Sequence, residues 1–318
     1  MEIDYAEIRL LKLRPAGMLS NVNEVIHHLN LAELGNYALK IDWSNSAYKS
    51  EDRPGDPWNY FFEDWFDLKN IASSALSLAG ETLYDQTNIV TPYVDDVLQL
   101  PTNRQAASIL INKRLRLKPQ IIERIDSFMA QHRNSQIIGL HIRGPLRTDA
   151  GGAIRSKLKM KKGVPFELYF HPVRERLNQF PEAKVLICSD SQMVIDETYT
   201  EFGDRVISYD ANRSEKGEMH VRNGTMLNAK FDPYTLGEDI LVESELLAQS
   251  SFFVHGYSNV ANYVLCKSPN LESCYSYAGV DLAYPSNFNI NRAKFQARAF
   301  GQRISGAIGR RLPGLGSK

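Results

Sequence analysis

The stretch at residues 137–152, IIGLHIRGPLRTDAGG, begins as an apolar strand and ends in a glycine-rich loop. His141 and Arg143 alternate with an isoleucine, so both side chains point to one side of the strand's end. Arg143 and Arg147 carry planar guanidinium groups whose donors suit a phosphate ligand. The stretch therefore indicates a strand end that binds an anion. The alternative is that Arg143 pairs with a structural carboxylate and that the loop is ordinary surface.

Strand and helix patterns alternate on both sides of this stretch. Residues 7–43 have the pattern of a strand, a helix and a second strand, and two helical patterns broken at Pro119 follow later. Residues 72–80, rich in small side chains, predict a packed helix. After the opening stretch, four more strand patterns are separated by helical ones. This alternation predicts an α/β fold of two Rossmann-like, doubly wound domains with a cleft between them.

Length and charge set the broad class of the protein. A chain of 318 residues suggests two domains, which we place at residues 1–135 and 136–290, followed by a basic amphipathic tail at 291–318. Lys plus Arg and Asp plus Glu number 37 each, which argues against a nucleic-acid partner. The sequence shows neither a signal peptide nor an apolar run long enough to span a membrane, so we expect a cytoplasmic protein.

A second strand end also has the features of a phosphate site. The segment at residues 252–264, FFVHGYSNVANYV, ends a strand, and Gly256 permits a tight turn after it. Ser258 or Asn259 then begins a helix, whose first N–H groups and positive dipole end favour an anion. The alternative is that Ser258 only caps its own helix.

Two acidic residues are further candidates. Glu243 lies among apolar residues in the helix before that turn, and its carboxylate can accept from both the N1–H and the 2-amino group of guanine. An exposed helical glutamate is the alternative. Asp190 ends the strand pattern VLICSD and is either a site residue or the N-cap of the next helix.

Several common site motifs are missing from the sequence. No GxGxxG follows the first strand, and there is no Walker A sequence, which disfavours dinucleotide and P-loop sites. The seven histidines form neither HxxxH nor HExxH, so a catalytic metal is not expected. The GxSxG nucleophile elbow is absent as well.

Taken in order, these segments resemble the fucosyltransferase superfamily of GT-B fold. The likeness is to the bacterial nodulation fucosyltransferases and the core α1,6-fucosyltransferases. The segments that carry it are IIGLHIR at 137–143, RTD at 147–149, VLICSD at 185–190, LVESELLAQSSFFVHGYSNVANYV at 241–264 and ALKIDWSNSAY at 38–48.

The resemblance implies an enzyme that transfers fucose, or a related sugar, from a GDP-sugar to a glycan hydroxyl. The family works with inversion and without a metal or another cofactor. The first domain would then bind the acceptor, a glycan or a lipid-linked glycan, and the second the nucleotide sugar. Such an enzyme would serve polysaccharide biosynthesis in a bacterium. The tail at 291–318 suits contact with the inner face of a membrane, or else forms a disordered or interdomain helix.

The resemblance also implies roles for single residues. Arg143 would clamp the diphosphate, with Arg147 as a second arginine, and His141 would sit against the nucleotide. Glu243 falls at the position where the family has an aspartate that binds the guanine base. The turn that follows the strand, with Gly256, Tyr257, Ser258 and Asn259, would meet the β-phosphate, and Asp190 completes the nucleotide site.

The chain departs from the family where a general base is expected. The core enzymes have a lysine after the T-D pair and a glutamate shortly beyond it, whereas this chain has Ala150 and Ile154. Asp149 is then the candidate base. Two other functions stay open: a catalytically inactive protein that binds a nucleotide sugar, and an α/β enzyme that acts on another phosphorylated substrate.

Overall fold

A computed structural model of the chain describes residues 8–14, 16–35, 37–63, 75–79, 101–144, 166–215, 221–222, 225–226, 230–256 and 258–276. The chain divides into two compact units. Met1–Asp149 and Lys162–Ala278 make up the first, which contains every described residue. Residues 150–161 and 279–318 make up the second and lie outside the described residues, as does the predicted tail. The domain boundaries at residues 135 and 290 therefore stay a prediction.

The N-terminal part of the chain forms a parallel sheet, as the strand–helix–strand pattern predicts. Strand β1 lies between β2 and β3 and pairs with both in parallel, and helix α1 connects β1 to β2. The bounds are β1 Ile8–Lys12, α1 Met18–Gly35, β2 Ala38–Asp42 and β3 Ala75–Ala79. The helix predicted at residues 72–80 is wrong, because this segment adds a strand to the sheet. Pairing with β1 satisfies its backbone groups and overrides the weak preference of small residues for a helix.

Among the described residues, one short helix follows β2 and two longer helices follow β3. They are α2 Trp58–Phe61, α3 Pro101–Arg114 and α4 Pro119–His132. Proline occupies the first turn of α4, where its missing N–H has no partner to lose. The predicted break at Pro119 is therefore confirmed.

The second sheet has five parallel strands in the order β10-β9-β4-β5-β6. Its elements are β4 Ile137–His141, α5 Phe166–Gln179, β5 Lys184–Cys188, α6 Gln192–Phe202, β6 Val206–Ile207, α7 Pro233–Ala248, β9 Phe252–His255, α8 Asn259–Lys267 and β10 Ser273–Tyr275, with a two-stranded hairpin of β7 Val221–Arg222 and β8 Thr225–Met226. Helices follow strands in alternation, so the predicted doubly wound α/β architecture is confirmed. No helix in the part of the chain that the structure describes is long and apolar enough to cross a membrane.

The aromatic segment after β2 belongs to the core. Trp58, Tyr60, Phe61 and Phe62 are all buried, Trp58 stacks on Phe62, and Phe61 stacks on Tyr234 of α7. Burial of these rings stabilises the packing of α2 against α7. Of the two roles that such a cluster suggests, packing and stacking on an acceptor sugar, the structure gives these four residues the first.

Helix α7 approaches this aromatic cluster at a glycine. A Cβ atom on Gly237 would lie 2.5 Å from Cζ of Phe61 and 2.8 Å from Cε of Met18. Phe61 is fully buried and cannot move aside easily. We expect Gly237→Val to lower the free energy of unfolding by about 1–3 kcal/mol in urea denaturation. Glu197→Val at an exposed position of α6 controls for the cost of valine in a helix, and equal losses in the two variants would contradict the packing account.

Candidate functional site

The carboxyl ends of β4 and β5, and the turn after β9, border a cavity of about 410 Å³. Residues 16–20, which end the β1–α1 turn and begin α1, also line the cavity, as does Tyr48. Ligands in α/β folds bind beyond the carboxyl ends of the strands, so this is the expected position for a site. The cavity brings together six of the predicted site residues, which are His141, Arg143, Asp190, Glu243 and the pair Ser258–Asn259 at the start of α8.

His141 is the last residue of β4 and is buried. Burial, with the positive charge of Arg143 and the nearby His255, lowers the pKa of His141 to about 3, so the ring is neutral at pH 7. Its Nδ1 lies 3.3 Å from the hydroxyl of Ser258. That hydroxyl also accepts from the backbone N–H of Ala261 at 3.0 Å.

Ser258 caps helix α8 and therefore fulfils the simpler of its two predicted roles. It also contacts His141 and lines the cavity, so the capping role does not exclude the other one. Asn259 is exposed, and both its backbone oxygen and its Oδ1 lie 3.3 Å from Nδ2 of Asn23 in α1. This contact fixes the N-terminus of α8 against α1. Gly256 is buried, with its carbonyl oxygen 2.9 Å from Nδ1 of His255.

Arg143 follows β4, is half-buried and lines the cavity. Asp190 holds the backbone just beyond it, because its Oδ1 accepts from the N–H of Gly144 at 2.7 Å. Asp190 is not the N-cap of α6, a position that Ser191 occupies. Tyr48 accepts from the N–H of Met18 at 3.0 Å, and burial raises its pKa to about 12 although the charge of Arg143 opposes the shift. The arginine thus lies where strand β4, the β5–α6 turn and Tyr48 meet.

Glu243 lines the cavity from helix α7, and its side chain is only 14% exposed. Nη2 of Arg213 donates to its Oε1 at 2.7 Å. Burial raises the pKa of Glu243 to about 8; Arg213 opposes this shift, whereas the negative charges of Asp239 and Asp190 add to it. The alternative of an exposed helical glutamate is therefore wrong.

Three of the predicted residues cannot be placed. Arg147, Asp149 and Tyr257 lie outside the described residues, so their roles stay predictions. Among the described residues, no group of three or more His, Cys, Asp or Glu side chains could hold a metal ion.

Several residues of the site were missed by sequence reasoning. Arg213 and Asn212 follow the edge strand β6, and Asp239 precedes Glu243 by one turn of α7. Oδ2 of Asp239 accepts from both the backbone N–H and Nδ2 of Asn212 at 2.9 Å. Arg213 and Asn212 could have been found from the sequence, because residues that follow β6 lie at the same sheet edge as those that follow β4 and β5. The β1–α1 turn could not have been found in this way, because its place in the cavity depends on packing between the two sheets.

The cavity therefore combines two kinds of groups. Arg143 and the N-termini of α1 and α8 supply positive charge and N–H donors. Glu243, Asp239 and Asp190 supply acceptors. The cavity can therefore bind a molecule that has an anionic part for the first kind of group and hydrogen-bond donors for the second.

Comparison with known proteins identifies the architecture. Neither a protein-family model nor a curated protein sequence matches the chain. A solved structure of the NodZ α-1,6-fucosyltransferase co-crystallised with GDP is similar, at a TM-score of 0.51 and 18% identity over 85% of this chain and 93% of that one. The fucosyltransferase NodZ from Bradyrhizobium gives a TM-score of 0.52 and 18% identity, over 85% of this chain and 94% of that one.

The chain has the fold of the NodZ fucosyltransferases. The predicted likeness to the GT-B fucosyltransferase fold is thereby confirmed. At this level of identity the NodZ fold fixes the architecture and leaves the chemistry to the residues of the cavity.

Proposed function

We propose that the chain is a glycosyltransferase that transfers fucose, or a related sugar, from a GDP-sugar to a glycan hydroxyl. One observation carries the proposal: Arg143, neutral His141 and the N-terminus of α8 line the same cavity as the carboxylate of Glu243. A nucleoside diphosphate presents an anionic diphosphate to the first set. Its base, if it is guanine, presents N–H donors to the second. The shared fold with a NodZ enzyme co-crystallised with GDP supports this choice of nucleotide.

The difficult step of this reaction is the departure of GDP, when negative charge develops on the diphosphate. In this proposal Arg143 and the positive end of α8, which line the same cavity, stabilise that charge. The neutral ring of His141 lines the same cavity. In this proposal the chain's own groups supply the positive charge that a divalent ion supplies in other transferases, with Arg147 as a second arginine.

The acceptor hydroxyl attacks the anomeric carbon from the face opposite to GDP, which inverts its configuration. A general base contributes about 10²–10⁴-fold to such a step, and Asp149 is the proposed base. Acceptor and membrane contact are proposed from the sequence alone: a glycan or lipid-linked glycan, reached through the basic tail at 291–318 on the cytoplasmic side.

A nucleotide screen followed by a turnover assay tests the proposal. We expect GDP to raise the melting temperature of the protein more than UDP, CMP or NAD does. GDP-fucose with a glycan acceptor should then release GDP. Equal stabilisation by all four nucleotides would contradict the guanine assignment and favour another phosphorylated substrate. Selective binding of GDP without any release from GDP-fucose would favour an inactive nucleotide-sugar-binding protein, in keeping with Ala150 and Ile154 at the family's Lys and Glu positions.

The affinity for GDP should depend on pH through Glu243. The ionised carboxylate accepts both guanine donors, whereas the protonated group presents a donor of its own. Because the pKa of Glu243 is raised to about 8, we expect the GDP-over-ADP affinity ratio to rise from pH 6 to pH 8, by roughly tenfold per unit well below the pKa. Isothermal calorimetry measures both ligands, and ADP corrects for titration of the diphosphate. A flat ratio would show that Glu243 does not contact the base.

A further inference from the structure

Arg213 lies behind Glu243 and makes three hydrogen bonds through its two terminal nitrogens, whereas its buried Nε has no hydrogen-bond partner among the described residues. Its Nη1 donates to the backbone oxygen of Ala211 at 2.8 Å, and its Nη2 donates to that of Tyr209 at 2.7 Å. Nη2 also donates to Oε1 of Glu243 at 2.7 Å. The arginine side chain is 6% exposed, so these three acceptors fix the plane of the guanidinium group.

The two members of this ion pair face different surroundings. Glu243 lines the cavity, whereas Arg213 does not. A buried carboxylate that faced a cavity alone would take up a proton, because ionisation costs several kcal/mol without a partner. Arg213 lowers that cost and occupies one acceptor position of Oε1. The remaining acceptor positions of the carboxylate stay available to a ligand.

We propose that Arg213 is a positioning residue that orients the Glu243 carboxylate toward the N1–H and 2-amino groups of guanine and thereby sets the base selectivity of the site. This inference rests on the proposed GDP-sugar donor. Arg213 acts through Glu243 and does not touch the nucleotide. The adjacent Asn212, which donates twice to Asp239, anchors the same loop to the same helix one turn earlier.

The groups around Glu243 define how the pair responds to pH. Arg213 approaches from the loop after β6, Asp190 and the buried Cys188 thiol from β5, and Asp239 from α7 itself. Only Arg213 among these four is positively charged. Removal of Arg213 should therefore raise the pKa of Glu243, so that the increase in GDP affinity occurs at a higher pH. A purely structural role would not produce this effect.

The test compares Arg213→Gln and Arg213→Lys with the unchanged chain. Calorimetry measures the affinities for GDP, for IDP, which lacks the 2-amino group, and for ADP, between pH 6 and 9. We expect Arg213→Gln to reduce the preference for GDP over IDP and ADP by about tenfold or more and to raise the pH of the transition. Arg213→Lys should restore the transition pH through its charge but not the full preference, because a single ammonium cannot reproduce the three contacts.

Arg176→Gln is the matched control. Arg176 also pairs with a glutamate, Glu272, at 2.6 Å and is 16% exposed, but it lies outside the cavity. This variant should keep the full GDP preference.

Each outcome has a defined meaning. An unchanged preference and transition pH in Arg213→Gln would overturn the inference. If that variant does not fold, the GDP-to-IDP ratio of Arg213→Lys decides in the same way: a reduced ratio supports the positioning role and an unchanged ratio overturns it. If the unchanged protein itself shows no preference for GDP, the proposed function is overturned. Failure of the proposed function and failure of the positioning role of Arg213 are therefore distinguishable.

Discussion

We expect Arg143→Ala to lower the rate of GDP release from GDP-fucose by about 10²–10³-fold. Removing one donor to a developing anion costs roughly 3–4 kcal/mol in the barrier of an enzymatic reaction. Arg143 lies at the end of β4 in the cavity that also contains the N-terminus of α8, where the proposed function puts the leaving group. The variant should also lose the rise in melting temperature that GDP gives the unchanged protein. A discontinuous assay for released GDP and a thermal-shift titration measure the two effects.

The control for this prediction is an arginine at the other end of the same strand. Arg133 is exposed and precedes β4, so Arg133→Ala removes a charge from the N-terminal side of the sheet. It should leave both the rate and the GDP shift unchanged. If Arg143→Ala keeps the full GDP shift while it remains folded, Arg143 does not contact the diphosphate.

Glu243→Gln should weaken GDP binding by about 10²-fold and leave ADP binding nearly unchanged. Hydrogen bonds to charged groups contribute about 1.5–3 kcal/mol, and guanine would lose the carboxylate that accepts both of its donors. The glutamine amide also presents a donor where the base has donors of its own. The variant should show no dependence of the GDP-to-ADP ratio on pH between 6 and 8, because the titrating group is gone. Calorimetry with the two nucleotides tests both expectations.

Glu238→Gln provides the comparison on the same helix. Glu238 is buried, lies 3.1 Å from Arg124 and accepts from the hydroxyl of Tyr234, but it does not line the cavity. Both substitutions thus remove a buried charge that is paired with an arginine. The guanine account requires that only Glu243→Gln change the ratio of GDP to ADP affinities. A similar change in both variants would point to a general effect on α7.

The architecture was largely predictable because the second half of the chain alternates clear strand and helix patterns. Helix α1 had a weaker pattern, since Asn21, Glu24 and His28 are buried along with its apolar residues and it has little solvent-facing surface. Strand β3 was not predictable from its small residues, because pairing with β1 decides its conformation. Local pattern thus determined the elements, and contacts between elements determined the exceptions.

The candidate site was predictable to a smaller extent. Residues at strand ends, such as His141 and Arg143, follow from the general rule for α/β folds. Arg213 is six positions beyond the short edge strand β6, and its partner Glu243 lies 30 residues later in sequence. No local pattern links them. The raised pKa of Glu243 depends on the burial and the neighbouring carboxylates that only the folded chain provides.

The most direct test is a crystal structure of the chain with bound GDP. The account predicts that the diphosphate lies within hydrogen-bonding distance, about 3 Å, of Arg143 and of the N-terminus of α8 at Ser258. It predicts that the N1–H and 2-amino groups of guanine donate to the carboxylate of Glu243, with Arg213 behind it. A GDP molecule bound outside this cavity, or bound inside it with its phosphates away from Arg143 and its base away from Glu243, would contradict the account.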